Sequence, residues 1–190
     1  MEKERRQYRF EPFGPFDLPQ QGHAMIAADK LKDFWGALAS DHPGLPDAIG
    51  CYIFGIRIGS STLPWYVGKT ERTSFRSETV QPHKLLVYAR ALGQARGGFP
   101  VLFLLPRMNE SGKFRRARKS GSISVDRLER MLIGTALLRN ANLLNLRSTK
   151  QHTQTVVPGY LNEPVGSRSP QAKRLAALLG TRRRKIARDE

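Results

Sequence analysis

GCYIFGIRIGSSTLPWYVGKT, residues 50–70, is the stretch that decides the fold. From Cys51 to Gly59, β-branched and aromatic residues come in near alternation, the pattern of a strand. Ser60–Pro64 reads as a turn and Trp65–Thr70 as a second short strand, so the stretch predicts a β-hairpin. Tyr52 and Tyr66 lie near its outer ends, where paired strands can set side chains next to each other. Gly68 lets a backbone or ligand approach where a side chain would block it. With a turn at Ser60–Pro64 the two tyrosines end roughly 20 Å apart at the rise of a strand. A loop centred on Arg57–Gly59, or a bulge, would instead set them face to face.

Working outward, residues 1–22 mix Pro, Gly and aromatics (EPFGPFDLPQQG) and read as an irregular arm laid over the core. Met25, Leu31, Phe34, Trp35 and Leu38 predict a helix over Ala24–Ala39, stopped by Asp41-His42-Pro43-Gly44 and Pro46. On the other side, PHKLLVYARALGQARGG (82–98) predicts a helix opened by Pro82 and closed by glycines. The apolar run FPVLFLLPR (99–107) predicts a buried central strand. Residues 108–122 form a polar, basic loop. Ser124–Arg139 predicts a strong helix, capped by Ser124, with Leu128, Met131, Leu132, Thr135 and Leu138 facing the core. After about Thr149 the chain turns loop-like with one short strand. Ser169-Pro170 then opens a small helix (QAKRLAALL), closed by Gly180 and followed by a basic tail. The expected fold is α/β of the α+β kind: a small, mostly antiparallel, three-stranded sheet flanked by helices. Its organisation is an N-terminal arm and helix (1–48), a core (49–150) and a C-terminal extension (151–190).

The charge narrows the function. Among 190 residues, Lys+Arg number 32 against 16 Asp+Glu, for a net charge of +16. Residues 50–150 alone hold eighteen basic and five acidic side chains, so the excess belongs to the body and not to a tail. Such a body repels itself unless a polyanion is near, and a phosphate backbone is the commonest one. Hydrophobic residues at 39% and a mean hydropathy of −0.45 fit a globular chain, and no apolar run is long enough to span a membrane. One cysteine, Cys51, excludes a disulfide framework or a Cys-rich zinc site, and the four scattered His have no zinc-ligand spacing, so no prebuilt zinc site is expected. The charged start shows no secretory signal, so the expected compartment is cytoplasmic, nucleoid-associated when bound. Gly68-Lys69-Thr70 lacks the earlier glycine and the length of a nucleotide-phosphate loop, so no small-molecule cofactor is expected.

Gly50-Cys51-Tyr52, followed after thirteen residues by Tyr66-Val67-Gly68, resembles the signature of the GIY-YIG nucleases. Arg76 lies where that family places an arginine. Leu128-Glu129-Arg130-Met131-Leu132-Ile133 is similar to its glutamate-bearing helix, and Asn142-Leu143-Leu144-Asn145 to its closing asparagine segment. The similarity covers about residues 49–147. Cys51 stands where Ile or Val is usual, and the nearest histidine after Arg76 is His83. The resemblance implies a Mg²⁺-dependent (or Mn²⁺-dependent) endonuclease acting on DNA, double-stranded DNA above all. It implies catalytic roles for Tyr52, Tyr66, Arg76, His83, Glu129 and Asn145, with Glu129 as the metal ligand.

The residues support that chemistry. Phosphodiester hydrolysis needs a base for water and neutralisation of charge on the phosphoryl oxygens. So few carboxylates among so many cations suit a single hard cation, held by one carboxylate plus water and substrate oxygens. Asp126 and Glu129 share a helix face. A tyrosine acts as a base near neutral pH only beside a cation, and Lys69 is one candidate for that cation. The arginine role falls to Arg76, with Arg72, Lys84 and Arg90 as substitutes. His83 can relay a proton or hold phosphate. Gly68, Lys69, Lys84, Arg115, Arg116 and Arg118 are the expected nucleic-acid contacts. A second class stays open: the same fold holding nucleic acid without cutting it.

Overall fold

Strand β4 (Gly50–Ile58) and strand β5 (Ser61–Thr70) form the hairpin, with Gly59-Ser60 as a two-residue turn. Gly59 takes φ +56°, which such a tight turn asks for and glycine gives without strain. The turn is therefore shorter than either loop considered from the sequence. A bulge at Trp65 then shifts the register, leaving Tyr52 opposite Gly68 and Phe54 opposite Tyr66. The tyrosines are diagonal neighbours, neither directly facing nor far apart.

The computed structural model describes residues 7–23, 25–145 and 169–179. The chain forms two compact units, Met1–Leu146 and Arg147–Glu190. In the first, strand β1 (Phe13–Asp17) and strand β6 (Phe99–Pro106) complete an antiparallel sheet of order β1-β6-β4-β5. The sheet has four strands where three were expected, because the arm pairs with β6. The arm's apolar side chains explain this. Phe13 and Phe16 pack on the core while the backbone of β1 satisfies what would be an open strand edge.

The expected helix over Ala24–Ala39 is also corrected. Strands β2 (Gln20–Gln21) and β3 (Met25–Ile26) pair, a single 3₁₀ turn spans Ala28–Lys30, and helix α1 runs only over Leu31–Asp41. Leu31, Trp35 and Leu38 face the core, whereas Met25 is exposed. Helix α2 (Phe75–Glu78) is a short addition. Helix α3 (Pro82–Ala95) starts at Pro82 and ends where Arg96 turns left-handed, ahead of Gly97 and Gly98. Even-numbered residues of β4 (Tyr52, Phe54, Ile56) join Trp35, Tyr88 and Leu92 in the main core, under α1 and α3. Odd-numbered Cys51 and Ile53 face the opposite side, with Val67, Val125 and Ile133.

That opposite side is covered by helix α4 (Ile123–Arg139), whose N-cap position is Ser122, not Ser124. Its inward face is Val125, Ile133 and Ala136, with Leu128 and Leu132 partly buried. Met131 and Leu138, expected inside, are 69% and 64% exposed, and Thr135 is exposed too. The helix is rotated because β5 presents Lys69 to it, and Asp126 and Glu129 turn inward to meet that charge. In the second unit, helix α5 (Pro170–Leu179) forms as the sequence suggested. The short strand expected before it, Gly180 and the basic tail lie outside the described residues. No helix among the described residues is long and apolar enough to cross a membrane.

Candidate active site

Four of the five acidic side chains between residues 50 and 150 gather around the C-terminal end of β5, in two clusters. The first lies on the α4 side. Lys69 Nζ meets Asp126, Glu71 Oε1 at 2.9 Å and Glu129 Oε2 at 3.4 Å. Burial works against the charge on Lys69, but its hydrogen bonds to Asp126 and Glu71 raise its pKa. The hydrogen bond from Lys69 holds the Asp126 carboxyl below the ordinary range. Burial pushes Glu129 up, against the pull of Lys69. Glu71 also accepts from the Ser122 N–H at the start of α4.

The second cluster lies on the α3 side. Lys84 Nζ donates to Tyr66 Oη at 2.7 Å, sits 4.9 Å from the Tyr66 ring centre, and is 3.6 Å from Glu78. Thr73 and Gln81 donate to the same Glu78 carboxylate, which fixes it. Tyr52 shares this face, its ring centre 6.2 Å from that of Tyr66. Tyr52 itself is fully buried, and a Cβ on Gly68 would collide with the end of its ring. So Gly68 is the lid over a tyrosine, which is why no other residue fits there. Burial first, then the neighbouring Tyr88 and Tyr66, raise the Tyr52 phenol well above its ordinary value. Its hydroxyl makes no hydrogen bond of ordinary geometry among the described residues and interacts only with the equally buried Tyr88 hydroxyl.

The sheet does not wall the clusters apart, because β5 is its outer strand. A cleft of about 250 Å³ runs past the strand end, lined by Lys69, Thr70, Glu71, Arg72, Thr73 and Glu78. Lys69 and Glu71 of the first cluster and Glu78 of the second stand on its walls. The charge of Lys84 also bears on Glu129, after burial and Lys69. Arg72 stands in this cleft, exposed and with no ion pair or hydrogen bond of its side chain among the described residues.

Other expected site residues fall elsewhere. Arg76 pairs with Asp47 at 2.7 Å and lines a separate groove with Leu31, Trp35, Val80 and Leu85. His83 is exposed in the first turn of α3. Asn145 is buried, and its amide takes both outward main-chain groups of Val67: the Val67 N–H donates to Oδ1 at 2.9 Å and Nδ2 donates to the Val67 carbonyl at 2.6 Å. One side chain thus imitates the next strand of the sheet and closes the edge of β5. Arg115 is half-buried, and Arg116 and Arg118 are exposed, on the loop that returns to β5 where the Arg118 N–H meets the Glu71 carbonyl. Glu71 was not singled out from the sequence, and Glu78 was given no role there. The signal for them was the scarcity of acids: a carboxylate retained in so basic a stretch has a local partner.

Among the described residues no set of three or more His, Cys, Asp or Glu is arranged to cage a metal. The three carboxylates around Lys69 enclose an ammonium instead. Glu129 makes the longest of those contacts, and its Oε1 has no partner among the described residues. A single carboxylate that makes only one long ion pair suits Mg²⁺, which keeps most of its water and borrows oxygens from a phosphate.

No protein-family model, curated protein or solved structure matches this chain.

Proposed function

We propose that the chain is a metal-dependent endonuclease that hydrolyses phosphodiester bonds in double-stranded DNA, with a single-cation site of the GIY-YIG kind. The observation that carries this reading is the cleft at the end of β5, lined by Lys69, Glu71, Arg72 and Glu78, with a lysine-bound tyrosine on one side of the strand and Glu129 paired to Lys69 on the other, inside a strongly basic body. Tyr66 is the base for water. Lys84 donates to its oxygen at 2.7 Å and so fixes the orientation of the phenol. Tyr52, sealed beneath Gly68, supports the ring of Tyr66 and does not reach water. Glu129 holds Mg²⁺ or Mn²⁺, and the bound cation would neutralise phosphoryl charge and acidify a water. Asp126 and Glu71 keep Lys69 charged beside Glu129, so the carboxylates do not simply repel the substrate. Arg72, unpaired in the cleft, offers its planar fork to the phosphate in place of Arg76. Asn145 holds the edge strand straight behind Lys69.

Conversion of supercoiled plasmid to nicked and linear forms tests this, with Mg²⁺ and then with EDTA. Cleavage abolished by EDTA is the expected result. Plasmid that is retarded on a gel yet uncut in Mg²⁺ would favour a binding module of the same fold.

A further inference from the structure

We infer that the groove bounded by α1 and α3 receives an unpaired nucleobase of the bound DNA, an inference that rests on the nucleic-acid part of the reading above and not on catalysis. The groove has a volume of about 480 Å³, inside the range of roughly 300–1,000 Å³ that small-molecule sites occupy. Leu31 and Trp35 of α1, Val80 of the link between α2 and α3, and Leu85 of α3 line it. Val80 and Leu85 are only half-buried against the core, so apolar surface is left open in the groove. A nucleobase is a flat ring system, and once out of the stack it is held between apolar and aromatic side chains.

The rim supplies what the rest of a nucleotide needs. Lys32 is exposed and makes no ion pair or hydrogen bond among the described residues. Arg76 also lines the groove; Asp47 holds it at 2.7 Å, yet its side chain is still 44% exposed. Two cations beside an apolar slot match a base with its flanking phosphates. A purely apolar ligand would use neither. Arg76, which the cleft at the end of β5 leaves without a part, thereby has one.

The place of the groove ties it to that cleft. The four-residue helix α2 stands between them: Arg76 lines the groove, while Glu78 and, just ahead of the helix, Thr73 line the cleft. A strand whose backbone enters the cleft therefore has the groove next to it. A fully paired duplex keeps its bases stacked and has none to offer. The substrate that uses both openings is a duplex with an unpaired nucleotide, for which the cost of leaving the stack is least.

The test uses the full chain in EDTA and three duplexes of equal length, with binding followed by fluorescence anisotropy. One duplex is fully paired, one carries a single unpaired adenine, and one carries an unpaired abasic residue at the same place. The adenine duplex should bind about tenfold more tightly than either of the others, the scale of one stacked base. Gly36→Leu then fills the groove. Gly36 lines it, lies inside α1, and a Cβ there meets no atom within 4 Å, so the variant should fold at least as stably as the wild type. It should lose the preference for the adenine duplex and keep its affinity for the paired one. Lys32→Gln should flatten the salt dependence for the adenine duplex by about 0.9 in log K against log salt, and leave that of the paired duplex unchanged. An abasic duplex bound as tightly as the adenine one would assign the preference to the bend or the extra phosphate and overturn the inference. So would a preference that survives in Gly36→Leu. Binding in EDTA requires no cleavage, so a protein that never cuts still reports on the groove. A protein that binds and cuts the paired duplex with no preference among the three loses this inference alone. One that binds none of them loses the nucleic-acid reading as well.

Discussion

Gly68 and Tyr52 are two ends of one contact. A methyl group at position 68 would strike the Tyr52 ring, so Gly68→Ala should destabilise the fold by roughly 1–3 kcal/mol, the usual cost of overpacking, measured by urea unfolding. Tyr52→Phe should do the opposite. It removes a buried hydroxyl that makes no hydrogen bond of ordinary geometry among the described residues, so stability is expected to hold or rise by about 1 kcal/mol. The same two tyrosines separate base from support. Tyr66→Phe is expected to abolish cleavage, whereas Tyr52→Phe retains most of it. Equal losses in both variants would return the base assignment to the pair. At Lys69 the electrostatics give a pH signature. The Asp126 carboxyl is held below its unfolded value by Lys69, so its contribution is full above the ordinary carboxylate range and is lost as pH falls through the lowered value. Lys69→Met removes that hold and leaves three carboxylates facing one another. The variant should be less stable at pH 7, by about 2 kcal/mol after allowance for partial exposure. It should recover part of the deficit near pH 5, where the wild type does not gain. Chemical unfolding at the two pH values checks both signs.

Strands and helices were legible wherever a period was strong, and misread wherever a neighbour overrode it. The hairpin, β6 and α3 followed from alternation, from an unbroken apolar run and from Pro82 with its closing glycines. The arm read as irregular because FGPFD has too little pattern to announce a strand. Only the bare edge of β6 makes it one. In α4 the apolar residues suggested a face through Met131 and Leu138. The actual face was set by Lys69, whose need for Asp126 and Glu129 no hydrophobic pattern records. For the same reason the carboxylate pair was visible in the sequence but the roles of Glu71 and Glu78 were not. The Lys84–Tyr66 contact needed the bulge at Trp65, and no residue count supplies a bulge. Asn145 belongs to this scale because it finishes a sheet. Asn145→Ala strips two buried hydrogen bonds from Val67, and a loss of about 2 kcal/mol is expected. Hydrogen exchange at the Val67 amide should speed up well beyond the average for the variant. A uniform change across the sheet would contradict the edge-closing role.

At the scale of the whole molecule, a basic body with one pocket of gathered carboxylates has two tasks that can be told apart. In the proposed reading the cations would collect phosphate and the pocket would act on it. Binding should therefore weaken steeply with salt, through many contacts. Cleavage should depend on a single carboxylate that binding can spare. Glu129→Gln keeps the volume of the side chain and removes its charge. Because burial already disfavours that charge, the variant should fold at least as stably as the wild type. The most direct measurement is the Mg²⁺-dependent cleavage rate of supercoiled plasmid by wild type and Glu129→Gln, at protein concentrations where both are shown to bind the DNA. The account predicts cleavage by the wild type and its loss in the variant, with binding retained. Cleavage by Glu129→Gln at the wild-type rate, or none by the wild type in Mg²⁺ or Mn²⁺, would contradict it.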